Sequence, residues 1–267
     1  MSQPVDSGPI TPAAIAELVG HDFLTGGEHH LEVDSTNALA IARLADAPPL
    51  PYLIYAERQT AGRGRGGNRW LSSAGSLTFS LITAPALNVP TDRVASLALT
   101  VAVAVAEASA HFVPAESIRT KWPNDLFVGG RKAGGILIER PAESQSLVIG
   151  IGLNVNNQCD HLSGLEETPA TLAAAAGGPI DRKHLLSALL ECFAARWDAW
   201  IKKPDAPSDW KRWCLLTGKA ITLSAGGIER TGRCVGIDPG GSLLLEENGD
   251  RRSIPSAEAI RLTAIKA

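Results

Sequence analysis

The chain has 267 residues, of which 45% are hydrophobic and 20% are charged, and its formal net charge at pH 7 is -3. A chain of this length can bury one substantial core and carry a smaller second module. It contains no apolar run of about 18 to 20 uncharged residues, and residues 1–12 lack a basic segment followed by an apolar one, so neither a membrane protein nor a secreted protein is indicated.

The first motif in chain order is Asp34-Ser35-Thr36-Asn37, which precedes the Ala-rich run 38–45. Serine and threonine hydroxyls in front of such a run are typical N-caps of a helix. The same side chains could also bind a ligand, and the two roles are compatible. Residues 51–57 follow as a short predicted strand.

A Gly- and Arg-rich segment leaves the end of this strand. Residues 58–70, called the Arg loop below, hold four arginines and no carboxylate in a chain whose net charge is negative. Gly62, Gly64 and Gly67 match the dinucleotide-binding spacing, but no helix is predicted after them and the next carboxylate is Asp92. No P-loop sequence is present either. The segment is therefore interpreted as a local anion-binding loop, with a solvated surface loop as the alternative.

The middle of the chain reads as a mixture of strands and helices. Five further strands are predicted from their apolar residues: 76–83, 118–121, 125–128, 132–139 and 146–154. Gly129-Gly130 predicts a tight turn between two antiparallel neighbours. One long apolar helix is predicted from an N-cap at Thr91 to about Ser109, and another from an N-cap at Asp181 to about residue 201. The second helix has a core-facing stripe: Leu185, Leu186, Leu189, Leu190, Phe193 and Trp197.

The composition changes after Leu216. Residues 218–262 contain short β-prone runs separated by turn signals: Gly226-Gly227, Asp238-Pro239-Gly240-Gly241 and Asn248-Gly249. We expect a small all-β barrel here, so that residues 1–216 and 217–267 form two domains. The four cysteines show no regular spacing, which favours reduced thiols over a disulfide framework.

Five motifs together resemble one known family. They are Asp34-Ser35-Thr36-Asn37; Glu57-Arg58-Gln59-Thr60-Ala61, which runs into the Arg loop; Lys121-Trp122-Pro123-Asn124-Asp125-Leu126; Lys132-Ala133-Gly134-Gly135-Ile136-Leu137-Ile138-Glu139; and Gly150-Ile151-Gly152-Leu153-Asn154-Val155-Asn156. In this order and at these separations, the set is similar to biotin protein ligase, which attaches biotin to carboxylase carrier domains. The resemblance implies an α+β fold, in which a class II synthetase-like catalytic domain with a mixed sheet and packed helices precedes an SH3-like β-barrel.

The family's reaction explains the types of residue in these motifs. The carboxylate of biotin attacks the α-phosphate of ATP, so fixed cations and N–H donors must offset the repulsion between two anions. The resemblance makes Lys132 and Arg65 the catalytic residues. It assigns ten residues to biotin: Ser35, Thr36, Asn37, Gln59, Arg63, Gly64, Arg65, Lys132, Gly135 and Gly152. It assigns eight to ATP or the adenylate: Arg63, Arg65, Trp70, Lys121, Asn124, Asp125, Lys132 and Asn154.

Some positions have a second interpretation. Lys121 and Asp125 could form an exposed ion pair instead of contacting ATP or Mg²⁺. Trp122-Pro123 is expected to be packed, and Gly134-Gly135 is expected to allow the backbone to approach the ligand closely. ATP and biotin are the expected substrates, with Mg²⁺ accompanying the ATP and no fixed metal site in the protein.

Two positions depart from the family pattern. Asn68 stands where a basic residue is common in the Arg loop. In repressor-type members a bulky apolar residue of a second loop closes over adenine, whereas the comparable residues 168–172 contain no Trp. Looser retention of the adenylate is therefore expected.

The expected partner is the biotin carboxyl carrier domain of acetyl-CoA carboxylase or a related carboxylase. About 30 residues precede the Ser-Thr-Asn motif, too few for the DNA-binding module of repressor-type members, so an enzyme-only form without nucleic-acid binding is expected. We expect a cytoplasmic monomer or weak homodimer. Two alternatives stay open, a lipoate or octanoate ligase with a longer apolar pocket and a non-catalytic biotin-sensing protein.

Overall fold

The computed structural model describes residues 8–20, 23–84, 90, 93–142, 144–159, 168–257 and 259–263. The helices in these residues are α1 Pro12–Val19, α2 Thr36–Arg43, α3 Val94–Ser109, α4 Leu172–Ala176, α5 Arg182–Lys202 and α6 Trp210–Trp213. The strands are β1 Gly26–Val33, β2 Tyr52–Gln59, β3 Leu77–Thr83, β4 Ile118–Lys121, β5 Asp125–Val128, β6 Arg131–Glu139, β7 Leu147–Leu153, β8 Ala220–Ala225, β9 Ile228–Ile237, β10 Leu243–Glu247, β11 Asp250–Ile254 and β12 Ala259–Leu262. The predicted N-cap Thr91 lies outside the described residues.

The larger sheet has seven strands in the order β1-β2-β3-β7-β6-β5-β4. β1 and β2 are parallel, and every other neighbouring pair is antiparallel. Gly129 and Gly130, with φ angles of 57° and 79°, form the predicted turn between β5 and β6. The mixed sheet confirms the predicted fold class, together with each strand that the pattern placed between residues 51 and 154.

Helices cover both faces of this sheet. α2 packs on the face that carries Ile54, Ile82 and Val148, whereas the alternate residues of the same strands join the main core with α3. α3 is apolar on nearly all sides because it lies between β4–β6 and α5. α5 buries the predicted stripe, and Asp181 caps it by accepting a hydrogen bond from the His184 N–H at 3.0 Å. No helix in the described part of the chain has the length and apolar character that crossing a membrane requires.

A buried cation joins the start of α5 to β2. Arg182 is 2% exposed, and its guanidinium donates to Glu57 Oε2 at 2.9 Å and to the Ser76 carbonyl at 2.8 Å. The Tyr55 hydroxyl donates to Glu57 Oε1 at 2.7 Å, and burial raises the pKa of Tyr55 above its ordinary value. Removing one partner of such a buried pair typically costs about 3–5 kcal/mol. These bonds therefore fix the strand from which the Arg loop departs.

The smaller sheet is antiparallel, in the order β11-β10-β9-β8-β12. Asn248 and Gly249 have positive φ angles of 54° and 88° at the β10–β11 turn, as the Asn-Gly pair predicts. The sheet lies against the β4–β5 end of the larger one, because Trp122 Nε1 donates to the Gly241 carbonyl at 2.8 Å. The C-terminal β module is thus confirmed, while the boundary after residue 216 stays a prediction.

Two elements near the N-terminus were not predicted. α1 begins after Thr11, which accepts a hydrogen bond from the Ala14 N–H at 3.2 Å, and has Pro12 in its first turn. That Thr-Pro pair is a helix-start signal that the sequence does contain. β1 has the sequence GGEHHLEV, in which apolar and polar residues do not alternate. Its pairing with β2 makes it a strand, although its local sequence does not indicate one.

Candidate active site

A cavity of about 820 Å³ opens between the larger sheet, the Arg loop and the last strand of the smaller sheet. All of the predicted site residues except Asn154 line it: Ser35, Thr36, Asn37, Gln59, Arg63, Gly64, Arg65, Trp70, Lys121, Asn124, Asp125, Lys132, Gly135 and Gly152. The fold therefore brings residues from all five motifs to one place. Which ligand atoms each of them contacts stays a prediction.

Asn154 is not among the residues that line the cavity. It is 3% exposed, and its Oδ1 accepts a hydrogen bond from Asn157 Nδ2 at 3.1 Å. Its backbone N–H donates to the Ala133 carbonyl at 2.7 Å, and its carbonyl accepts from the Leu172 N–H at 3.0 Å. These bonds join β6 to the segment before α4, and the predicted contact of Asn154 with adenine stays a prediction.

A buried polar network forms the half of the cavity near α2. Gln59 Oε1 accepts hydrogen bonds from the Thr36 N–H at 2.7 Å and from the Thr36 hydroxyl at 3.0 Å. Ser80 Oγ lies 2.8 Å from Thr36 Oγ1 and 2.6 Å from Asn37 Oδ1. Ser35 accepts from the Ala38 N–H at 3.4 Å, which confirms its predicted role as the N-cap of α2. The motif therefore caps the helix and presents hydrogen-bonding groups to the cavity.

Three contributors to this half were missed in the sequence. Thr78 and Gly150 line the cavity, and Ser80 supports it. The alternation within residues 76–83 places Thr78 and Ser80 on the same face of β3, a signal that could have identified them. Gly150 needs to be glycine because a Cβ there would come within 2.8 Å of Asn37 Cγ.

The Arg loop joins β2 to β3, as predicted, and has a defined internal structure. The Gly64 N–H donates to the Asn68 carbonyl at 2.7 Å, and the Trp70 N–H donates to the Gly62 carbonyl at 2.9 Å. Gly66 and Gly67 turn the chain with positive φ angles of 62° and 80°, a conformation that favours glycine. The loop is thus a narrow hairpin in which the residues next to Arg63 and Arg65 are glycines without side chains.

The arginines of this hairpin differ in their partners. Arg63 Nη2 donates to Glu139 Oε2 at 2.7 Å. Arg65 and Arg69 have no carboxylate partner within the described ranges. Their positive charge is therefore available to an anionic ligand.

The half of the cavity near β4–β6 carries cations beside one carboxylate. Lys132 Nζ lies 2.7 Å from Asp125 Oδ1, and the Lys132 side chain is 45% exposed. Lys121 lies instead over the Phe127 ring, 5.4 Å from its centroid. Asn124 Nδ2 donates to the Ile136 carbonyl at 2.7 Å, so the Asn124 side chain is held against β6. Lys121 and Asp125 therefore do not form the exposed ion pair that was the alternative interpretation, since Asp125 pairs with Lys132.

The glycine pair of β6 and the Trp-Pro pair before β5 have distinct roles. A Cβ at Gly134 would meet the Gly152 carbonyl at 2.9 Å, so this glycine serves packing between strands. Gly135 faces the cavity near Asp125 and Lys132. Trp122 is 2% exposed, which confirms the predicted packing, and it also lines the cavity. The backbone of Gly135 can therefore approach a ligand closely. Packing between the strands is enough to explain the glycine at position 134.

The smaller sheet contributes to the cavity in a way that the sequence did not indicate. The segment around β12 lines the opening with Ser256, Ala257, Ala259, Ile260 and Arg261. The Arg261 guanidinium lies 3.0 Å from Glu229 Oε2 on β9. Within the described ranges, no group of three or more His, Cys, Asp or Glu residues is placed to hold a metal ion.

The segment 168–172, which contains no Trp, runs beside Lys132. The Ala170 N–H donates to the Lys132 carbonyl at 2.8 Å, and Thr171 caps α4. The predicted effects of this segment and of Asn68 on adenylate retention stay predictions.

Comparison with known proteins gives consistent matches over both parts of the chain. Residues 32–156 match the Biotin/lipoate A/B protein ligase family, and residues 217–262 match the Biotin protein ligase C terminal domain. The first range includes every predicted site residue.

Similar proteins and structures span most of the chain. It is 35% identical over 254 residues to Bifunctional ligase/repressor BirA of Bacillus subtilis, covering 91% of this chain and 74% of that protein. It is 33% identical over 239 residues to Biotin--[acetyl-CoA-carboxylase] ligase of Paracoccus denitrificans, covering 84% of this chain and 96% of that protein. The solved structure of biotin protein ligase from Aquifex aeolicus in complex with biotin and ATP superposes with a TM-score of 0.75 at 28% identity, covering 90% of this chain and 100% of that one.

Proposed function

The chain belongs to the biotin protein ligase family, and we propose that it forms biotinyl-5′-AMP from biotin and ATP and transfers the biotin to a carrier lysine. The observation that carries this proposal is the distribution of groups along the cavity. Uncharged hydrogen-bonding side chains lie near α2, on the β2–β3 half of the sheet, whereas Lys121 and Lys132 lie on the β4–β6 half. A ligand with a polar uncharged ring at one end and anionic groups at the other matches this arrangement.

In the first half-reaction, a carboxylate oxygen of biotin forms a bond to the α-phosphorus of ATP. The bond from that phosphorus to the bridging oxygen breaks, and pyrophosphate leaves. Both reactants are anions, so the fixed charges of Lys132 and Arg65 stabilise the transition state more than water would. Arg65 has no competing carboxylate in the described part of the chain, and Lys132 exchanges Asp125 for the reacting anions.

Asp125 has a second role once Lys132 has turned towards the reacting anions. Its carboxylate oxygens are then available to the Mg²⁺ that accompanies ATP, because this ion prefers oxygen ligands. Asn124 is held beside it by its bond to the Ile136 carbonyl. The two residues thus place polar side chains next to the triphosphate without forming a permanent metal site.

The Arg loop covers the intermediate. Biotinyl-5′-AMP is a mixed anhydride that water hydrolyses, so a closed loop protects it by excluding solvent. Arg63, Gly64 and Arg65 line the cavity from the loop side. Their glycine neighbours let the backbone approach the phosphate closely.

In the second half-reaction, the ε-amine of the carrier lysine attacks the biotinyl carbonyl carbon. The new C–N bond forms, AMP leaves and the amine loses a proton. The partner is a biotin carboxyl carrier domain of a carboxylase. None of the four cysteines forms a disulfide, which fits the reducing conditions of a cytoplasm. The monomer or weak homodimer stays a prediction.

A transfer assay tests this function directly. The protein is incubated with ATP, a purified biotin carboxyl carrier domain and either radiolabelled biotin or radiolabelled lipoate. We expect covalent label from biotin alone, and only when ATP is present. Label from lipoate but not from biotin would assign the chain to lipoate transfer, and biotin binding without any covalent label would make it a biotin sensor.

A further inference from the structure

Glu139, the last residue of β6, lies outside the cavity wall but bonds to two residues that form it. Its Oε2 accepts a hydrogen bond from Arg63 Nη2 at 2.7 Å and another from Asn37 Nδ2 at 2.8 Å. Arg63 belongs to the Arg loop and Asn37 to α2. One carboxylate oxygen therefore joins the loop to the polar half of the cavity.

We propose that Glu139 is a positioning residue for biotin binding, which acts by holding Arg63 and Asn37 in their cavity-facing orientations. The proposal rests on the function proposed above. Glu139 itself does not contact the ligand.

The carboxamide of Asn37 is held by two acceptors. Asn37 is 3% exposed, and its Nδ2 donates to the Leu137 carbonyl at 3.2 Å as well as to Glu139. Both partners are pure acceptors, so the NH₂ group has to face them and Oδ1 has to face Ser80. Glu139 thus fixes which end of the amide points into the polar network.

Arg63, the other partner of Glu139, has a side chain that is 42% exposed. Flanking glycines make the loop costly to order, since glycine loses more conformational freedom than other residues. A charge-assisted bond to Glu139 offsets part of that cost before a ligand arrives. Arg63 lines the cavity while it makes this bond, so Glu139 holds it in place and does not withdraw it from the site.

The hydrogen bonds continue from Arg63 through Glu139, Asn37 and Ser80 to Thr36. The Thr36 N–H then donates to Gln59 Oε1 at 2.7 Å. Gln59 is the last residue of β2, from which the loop departs. The backbone of residues 59–63 joins the two ends of this chain of hydrogen bonds, so the direction of Arg63 and the geometry of the polar pocket both depend on the Glu139 carboxylate.

The chain offers a matched control in the ion pair between Arg58 and Glu32. It also joins an arginine to a glutamate, on the neighbouring strands β2 and β1, but both side chains are about half exposed and neither lines the cavity. Surface pairs of this kind contribute little. Glu32→Gln therefore removes a similar charge without touching the polar network.

The experiment measures the dissociation constant of biotin alone by titration calorimetry. It uses the wild type, Glu139→Gln, Glu32→Gln, Arg63→Ala and the Arg63→Ala/Glu139→Gln double variant. We expect Glu139→Gln to weaken biotin binding by about tenfold or more, because a hydrogen bond to a charged group is lost. Glu32→Gln should bind as the wild type does. In the Arg63→Ala background, the effect of Glu139→Gln should be smaller but not zero, because only the bond to Asn37 is then left to be disturbed.

Pyrophosphate release at saturating biotin and ATP separates positioning from a general structural effect. Because Lys132 is unchanged, kcat of Glu139→Gln should stay close to that of the wild type while KM for biotin rises. Wild-type affinity in Glu139→Gln, or an equal loss with and without Arg63, would overturn the proposal. A wild type that binds biotin but transfers none would refute the proposed function alone, and one that binds no biotin would refute both.

Discussion

The indole of Trp70 lies against the bare backbone of Gly152. A Cβ added to Gly152 would come within 2.7 Å of Trp70 Nε1 and 2.8 Å of Cζ2. Trp70 ends the Arg loop, whereas Gly152 lies on β7 in the middle of the larger sheet. The position of Trp70 at the end of the loop therefore depends on Gly152, which lies far from it in the sequence.

Gly152→Ala should displace Trp70 and, with it, the closed end of the loop. A misplacement of about 1 Å near a reacting centre can lower the rate about 10²-fold, so we expect kcat/KM for biotin to fall by about that factor. Gly178→Ala is the control, because an added Cβ there has no atom within 4 Å. Steady-state pyrophosphate release measures both variants, and normal activity in Gly152→Ala would refute the seating role.

The strand pattern of the larger sheet was predictable because its strands are apolar and bounded by glycine turns. β7 is buried throughout, and Gly129-Gly130 has the positive φ angles that a tight hairpin requires. β1 was not predictable from its local sequence, because its conformation is imposed by pairing with β2. Local propensity yields to such tertiary contacts.

The residues that line the site were largely predictable, but their pairings were not. Lys121 and Asp125 are neighbours across a hairpin, yet Asp125 pairs with Lys132 on the next strand. That choice depends on side-chain directions that spacing alone does not define. The contribution of Arg261 to the cavity depends on how the smaller sheet packs against the larger one. The local sequence around Arg261 does not predict this packing.

Lys132→Ala should abolish adenylate formation while leaving the protein folded. Loss of one preorganised charged donor typically lowers the rate about 10²- to 10³-fold, and Lys132 is half-exposed, so no core packing is lost. Lys211→Ala, on the exposed side of α6, is the matched control. Pyrophosphate release is measured together with circular dichroism, and wild-type turnover in Lys132→Ala would exclude this lysine as the catalytic cation.

Arg65→Gly should separate making the adenylate from keeping it. Arg65 has no carboxylate partner in the described residues, so its charge is available to the intermediate, and its loss should weaken biotin and adenylate binding by about 10- to 150-fold. Lys132 remains, so pyrophosphate release should continue at saturating biotin. The released adenylate then reacts with lysines of any nearby protein.

Biotin blotting of serum albumin after incubation with each enzyme measures that escape. Lys132→Ala serves as the control that makes no adenylate. Albumin should be labelled by Arg65→Gly more strongly than by the wild type. If Arg65 is only a solvated charge, neither affinity nor target choice changes, and unlabelled albumin despite pyrophosphate release would refute the retention role.

Protease protection of the Arg loop should depend on the ligands. The loop contains several glycines, and Arg65 and Arg69 have no carboxylate partner in the described residues, so the order of the loop should increase when anions bind. We expect residues 62–70 to be cleaved more slowly with biotin plus ATP than without them. Limited proteolysis followed by mass spectrometry measures the two rates, and equal rates would contradict a loop ordered by ligands.

Asp209→Asn should lower stability in a way that depends on pH. Arg196 on α5 donates to Asp209 Oδ2 at 2.7 Å and to Glu107 Oε2 on α3 at 2.6 Å. It therefore joins α5 to α3 and to the residue that precedes α6. The hydrogen bond from Arg196 lowers the pKa of Asp209 below its ordinary value of 3.8. A carboxyl group with a lowered pKa stabilises the fold above its unfolded-state pKa, and this contribution is lost as pH falls through the folded-state pKa.

At neutral pH we therefore expect Asp209→Asn to reduce the free energy of unfolding by about 0.5–1 kcal/mol, a modest value because the Asp209 side chain is 46% exposed. The difference from the wild type should be constant down to about pH 5 and should narrow as pH falls below about 4. Asp198→Asn, an exposed position on the same helix as Arg196, controls for the general loss of one negative charge. Urea unfolding at a series of pH values measures the three proteins, and a difference that is unchanged between about pH 7 and pH 3 would show that Asp209 does not stabilise the fold as a carboxylate.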